Sequence, residues 1–153
     1  MRLVFKLLPA ILILMLVLLI TATQAQTPAR ASRGIDSRVA SAAVQHEIVA
    51  ALLQKKDFNR VLPELKKILD LRLPVEYETA VVEEFVSVSN QLMRAQRFDL
   101  AHQAVDAALQ RVGADSSKLF LYIQSGRIHR EQGNLDAAME AYEKAKTFRK
   151  KEE

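Results

Sequence analysis

Residues 126–146 read GRIHREQGNLDAAMEAYEKAK. This stretch decides the fold, because two features in it conflict with a single amphipathic helix. Gly133 interrupts a charged helical sequence, and the inner stripe after it carries small residues where a core would place large ones. Leu135, Ala138, Tyr142 and Ala145 are spaced three, four and three apart, so they share one helix face. The stretch therefore reads as two helices joined at Gly133. Helices pack about 8–10 Å apart, depending on the side chains between them. Gly126 and Ala138 then mark a close backbone approach, and Tyr142 fills the space beside it.

The same pattern recurs twice upstream. Short polar turns stand at 54–58 (QKKDF), 95–98 (AQRF) and 131–135 (EQGNL). Each ends in a large apolar residue: Phe58, Phe98 or Leu135. Three residues on stand Val61, Ala101 and Ala138; four further stand Leu65, Val105 and Tyr142; three more give Ile68, Ala108 and Ala145. The rest of the composition agrees. Four Gly and four Pro punctuate a chain rich in helix formers, and no alternating β-branched run or Asn-Gly hairpin turn is present. The expectation is an all-α protein.

The last unit resembles the tetratricopeptide repeat (TPR), a helix–turn–helix unit of about 34 residues. Counted from Leu119, Tyr122 takes the first aromatic position, Gly126 the small residue where the helices touch and Gly133 the turn. Ala138, Tyr142 and Ala145 take the small, aromatic and small positions of the second helix. Ser125, His129 and the absent terminal Pro depart from the pattern. The unit at about 82–115 matches by type through Phe85, Val88, Ser89, Phe98, Ala101, Val105 and Ala108, with Gln96 in place of the turn glycine. The unit at about 42–75 keeps only the hydrophobicity, through Ile48, Val49, Leu52, Phe58, Val61, Leu65 and Ile68. The resemblance implies three antiparallel helix hairpins (about 42–75, 82–115 and 119–152) stacked as a short right-handed solenoid. A single hairpin cannot bury both of its faces, so about three units are the usual minimum.

Spacing between the units is uneven, so extra residues fall between hairpins. LRLP at 71–74 breaks the helix, and Pro74 suits the first turn of the next one. Gly113 reads as a helix stop, with Asp115 or Ser116 as the following N-cap. Pro63 implies that its helix is kinked or begins near Leu62.

Met1 to Ala25 reads as a basic start, an apolar run at 7–20 (LLPAILILMLVLLI) and a small-residue end. That is a secretory signal, with Thr23 and Ala25 placing cleavage before Gln26. The rival reading is an uncleaved anchor, disfavoured by Lys6 and Pro9 within a span that needs about twenty apolar residues. Residues 26–38 (QTPARASRGIDSR) read as a flexible linker, and 39–153 as the helical repeat domain. The repeat domain is expected outside the cytoplasm: periplasmic or secreted if the source is bacterial, otherwise anchored with the same orientation.

The chemistry of the chain is mostly negative. There is no cysteine, so there is no disulfide framework or thiolate metal site. The 22 basic residues against 18 acidic include Arg2 and Lys6 of the leader, and no aromatic is interleaved with a basic cluster, so a nucleic-acid partner is not expected. His46, His102 and His129 lie far apart at unlike repeat positions, and no metal, phosphate-loop or nucleophile motif occurs. His129 reads as a helix–helix contact, and Glu83–Glu84 as a solvated face. No enzyme, cofactor or metal is expected.

The resemblance implies that ligand-contacting side chains come from the inner faces of the first helices. Carried over, these are Phe120, Ile123, Arg127, Arg130 and Glu131 in the third unit, and Glu83, Val86, Asn90, Met93 and Arg94 in the second. In the first they are Ala43, His46, Ala50, Leu53 and Gln54. His46 and Ala50 occupy the positions where chaperone-binding members carry a carboxylate clamp, which argues against a chaperone-tail adaptor. What remains is a groove with an apolar floor (Val86, Met93, Ile123) and three arginines (Arg94, Arg127, Arg130), suited to an extended or helical segment with acidic groups. The last helix carries a polar face (Asp136, Glu140, Glu143, Lys144, Thr147, Lys150) with which it could cap itself. The expected function is an exported protein–protein interaction adaptor. The alternative is a membrane-anchored, self-associating structural component of an envelope assembly.

Overall fold

The computed structural model describes residues 26–149. Residues 1–25, read from the sequence as a signal or anchor segment, and residues 150–153 lie outside the described residues. Six α-helices follow one another: α1 (Gln26–Gln54), α2 (Phe58–Asp70), α3 (Glu78–Arg94), α4 (Phe98–Leu109), α5 (Asp115–Glu131) and α6 (Leu135–Arg149), with a 3-10 turn at Val75–Tyr77 before α3. No strand occurs among the described residues. The chain divides into two units between Ser37 and Arg38. Residues 26–37 of the first unit are helical, which corrects the flexible linker expected over 26–38. The segment is rich in Ala, Arg and Ser, and Pro28 falls in the first turn, where its missing N–H has no intrahelical partner to lose.

In the second unit, α3 packs on α4 and α5 on α6, while α5 also meets α4 and α3, and α2 meets α4 and α3. The ends of α1, α3 and α5 share one turn. Lys56, Gln96 and Gly133 have positive φ (58°, 60° and 79°). Before Lys56, the chain bonds Lys56 N to Leu53 O and Asp57 N to Leu52 O, both at 3.0 Å. Gln96 N and Arg97 N do the same to Met93 O and Leu92 O (2.9 and 2.8 Å), and Gly133 N and Asn134 N to Arg130 O and His129 O (both 2.9 Å). This is the Schellman ending, in which a left-handed residue lets two amides close on the last carbonyls of the helix. Only the third turn carries the residue that adopts this conformation without strain, since a left-handed L-residue costs about 1–2 kcal/mol. Gln96→Gly is therefore expected to raise stability by about 0.5–1 kcal/mol, the strain relief being partly offset by the freer unfolded chain. Gly133→Gln should lower it. Denaturant melts of the two variants should move in opposite directions.

The core follows the three-four-three stripes. Val61, Leu65 and Ile68 of α2 and Ala101, Val105 and Ala108 of α4 are buried, and Phe85, Leu92, Leu121 and Ile128 of the intervening helices are sealed completely. Each fully buried aliphatic or aromatic side chain contributes about 1.5–3 kcal/mol. In the last hairpin Ala138 and Ala145 are buried as the pattern requires. A β-carbon added to Gly126 would lie 2.6 Å from Tyr142 Cδ1 and 2.8 Å from Cζ, so the tyrosine ring rests directly on the glycine. Tyr122 stacks on Phe148 across the same hairpin, with ring centroids 5.5 Å apart.

Several local expectations are corrected. α2 begins at Phe58 rather than Leu62, and Pro63 lies inside it. Pro63 and Asn59 are both exposed, so water can reach the Asn59 carbonyl that the proline cannot bond. Pro74 caps the 3-10 turn, and α3 begins four residues later at Glu78. α4 ends at Leu109, four residues before Gly113. Neither Asp115 nor Ser116 is the N-cap of α5. That position is Ala114, which lacks a capping side chain. Glu78 supplies the cap from α3: its carboxylate accepts from Gly113 N at 3.0 Å and Ala114 N at 2.9 Å. On α6 the polar face read from the sequence is exposed at Asp136, Glu140, Glu143, Lys144 and Thr147, and it is not polar throughout. Leu135 is 62% exposed and Met139 65%, beside the polar face read from the sequence.

Candidate functional site

α3 presents Thr79, Glu83, Val86 and Asn90 at helical spacing along one face, and the start of α5 runs alongside. Together with Val82, Ser87, Ser116, Ser117 and Phe120 they line a groove of about 420 Å³. The apolar surface comes from Val82, which is buried, from half-buried Val86, and from Phe120, whose ring is 58% exposed at the rim. The two serines reach the groove because α5 starts there. Glu78 holds that start in place from the base of α3.

One end of the groove closes on a buried amide. Gln124 Nε2 donates to Ser89 Oγ and to Asn90 Oδ1, both at 2.8 Å, and lies 3.6 Å from Met93 Sδ. Ser89 in turn donates to the Val86 carbonyl at 2.9 Å. Gln124 is 1% exposed. This network fixes the α3–α5 spacing, since each member is held by a neighbour of known geometry. Gln124 Oε1 is buried without a hydrogen-bond partner among the described residues.

The sequence-derived positions divide. Glu83, Val86, Asn90 and Phe120 line the groove. Met93 turns its sulfur toward Gln124. Ile123 is half-buried, and Arg127 is exposed. Arg94 lines a different cavity, with Leu53, Lys56 and Phe58. The Arg130 guanidinium lies 3.2 Å from Glu131. The three arginines thus do not converge on one groove. Sequence reading missed Thr79, Val82, Ser87, Ser116 and Ser117 in the lining, and Gln124 beside it. Ser116 was read only as a candidate N-cap, and nothing local marks Gln124, whose partners are more than thirty residues away.

His129 was read as a helix–helix contact, but the partners of the three histidines were not foreseen. His46 Nδ1 lies 2.8 Å from Glu84 Oε2, joining α1 to α3. Glu84 is therefore an inter-helix partner, not part of a solvated pair. His102 of α4 and His129 of α5 lie with ring centroids 4.3 Å apart, and His102 Nε2 is 2.7 Å from Gln132 Oε1. Burial, and next the charge of a protonated His102, hold His129 below the ordinary histidine range, against Asp106 and Glu140, which raise it. The pair packs two hairpins together. Among the described residues no cluster of three or more His, Cys, Asp or Glu could hold a metal ion. No helix among them is long and apolar enough to cross a membrane.

In comparison with known proteins, no family model matches the chain and no curated protein matches it.

Proposed function

We propose that this chain is an exported TPR-like interaction module, three hairpins stacked as a right-handed solenoid, that holds a protein segment in the α3–α5 groove. The repeat reading is supported by the three equivalent Schellman turns and the stripes that follow them. The observation that carries the binding reading is the groove itself: an apolar floor of Val82 and Val86, an exposed Phe120 ring at the rim, and Asn90, Thr79 and three serines as polar lining. Binding sites combine such an apolar body with a few fixed polar groups. The occupant is an extended or helical peptide with an apolar anchor in the groove. Arg127, which no carboxylate pairs with among the described residues, favours an acidic group on the segment running past Asn90. No nucleic acid, cofactor or catalytic step belongs to this reading, and the membrane enters only through the N-terminal segment.

Crosslinking in the native host, followed by identification of the captured chain, tests it. Phe120→Glu should reduce capture at least tenfold, about 1.4 kcal/mol, and Arg127→Glu should do the same if the acidic group is present. Both side chains are exposed, so melting temperatures should stay within about 2 °C. Capture unaffected by Phe120→Glu would remove the groove. Loss with Phe120→Glu alone would keep the groove and remove the acidic preference.

A further inference from the structure

We infer that this chain associates end to end with further copies of itself, the exposed face of α6 on one copy docking on the exposed face of α1 on the next. The inference uses the hairpin register but no groove residue, so it stands apart from peptide capture.

The residues at positive φ give a common origin for the three hairpins: Lys56, Gln96 and Gly133. Six residues after them stand Leu62, His102 and Met139. Leu62 is 6% exposed, His102 lies against the His129 ring of the following hairpin, and Met139 is 65% exposed. Two residues after them stand Phe58, Phe98 and Leu135. Phe58 and Phe98 are half-buried, and the Arg97 guanidinium of the following hairpin sits 5.9 Å from the Phe58 ring. Leu135 is 62% exposed. These are the positions a hairpin offers to the one after it.

Twelve residues before the same origin stand Val44, Glu84 and Leu121. Leu121 is sealed, and Glu84 reaches back 2.8 Å to His46 of the preceding hairpin. Val44 is 61% exposed. Eight residues before it stand Ile48, Val88 and Ser125. Val88 is 2% exposed, Ser125 is half-buried and Ile48 is 38% exposed. These are the positions a hairpin offers to the one before it.

Within the molecule the second helix of one hairpin meets the first helix of the next twice, α2 on α3 and α4 on α5, and the apolar pairs Leu135–Met139 and Val44–Ile48 lie on the two helices left without such a neighbour. A second copy brings the missing half in the same register, because its α1 stands to Leu135 and Met139 as α3 stands to the hairpin before it. The patch on one copy meets a different patch on the next, so the interface is heterologous and each added copy exposes a fresh end. Between chains the contact must also offset lost translational and rotational freedom, which makes the association concentration-dependent.

Sedimentation of the full chain from micromolar to millimolar concentration reads this out. The weight-average mass should climb with concentration without stopping at two chains. Val44→Glu and Met139→Glu should each weaken association at least tenfold. An equimolar mixture of the two variants retains one intact α6 face and one intact α1 face, so it should form a one-to-one dimer and stop there. A wild type that stays monomeric overturns the inference, as does a closed dimer or an association that neither variant weakens. Were Met139→Glu to lower the melting temperature, Leu135→Glu replaces it, and a mixture that remains monomeric still counts against the inference.

Discussion

Gly126→Ala should destabilise the protein by about 1–3 kcal/mol, the ordinary cost of forcing extra volume into a packed contact. The added methyl would fall within 3 Å of Tyr142 Cδ1 and Cζ, so the ring must leave its place on α5. Tyr142 is half-buried and is held by the α6 backbone between Ala138 and Ala145, both buried, so it cannot shift without disturbing them. The sign of the effect is informative. In a helix interior alanine is favoured over glycine by about 1 kcal/mol, so the same substitution would stabilise if nothing faced the glycine. In a Tyr142→Ala background Gly126→Ala should therefore become neutral or stabilising. A denaturant-based double-mutant cycle measures this coupling directly. The same cost in both backgrounds would mean that the glycine is needed for something other than the ring.

That pair also shows what the sequence could convey. The spacing of Gly126, Ala138, Tyr142 and Ala145 implied a close helix pair, and the ring lies on the glycine. Spacing within a helix is local, and it survives folding unchanged. The turns were legible as to place but not as to conformation. Only Gly133 advertised a positive φ; Lys56 and Gln96 adopt it with side chains that do not favour it, so the sequence does not mark it there. Contacts between hairpins were hidden for a different reason. His102 and His129, Gln124 and Asn90, and Glu84 and His46 are brought together by packing of separate hairpins, and no short-range pattern registers a partner that far along the chain. On α3, Glu83, Val86 and Asn90 were named by repeat position, as the resemblance implies, and they line the candidate groove. On α5 only Phe120 was named; Ser116 was read as a candidate N-cap and not as groove lining. Arg94 and Arg130 were assigned to it by repeat position alone, and their side chains go elsewhere.

Glu78→Ala should cost about 1–2 kcal/mol at neutral pH, the range seen when a helix loses its capping side chain. The residue caps a helix it does not belong to. Its carboxylate accepts from the Gly113 and Ala114 amides at the entrance to α5, where unbonded N–H groups and the helix dipole both favour an anion. Without it those amides must find water, and the angle at which α5 leaves the α4–α5 loop is no longer tied to the base of α3. The effect should depend on pH in a defined direction. Burial alone would raise the Glu78 pKa, but hydrogen bonds from Ser117, Gly113 and Ala114 and the charge of Lys118 outweigh it and hold the group below its ordinary 4.5. The carboxylate binds its proton less readily folded than unfolded, so its contribution is complete above pH 4.5 and is lost as pH falls through the folded value. The gap between wild type and Glu78→Ala should accordingly be widest near neutrality and narrow in acid. Glu64, also held below its ordinary range, is present in both proteins and cancels in the comparison. Glu78→Gln, which keeps one acceptor oxygen but no charge, should cost less and show a weaker pH dependence. Melts at a series of pH values decide it: a gap that stays constant into acid would mean that Glu78 acts through packing and not through its charge at the start of α5.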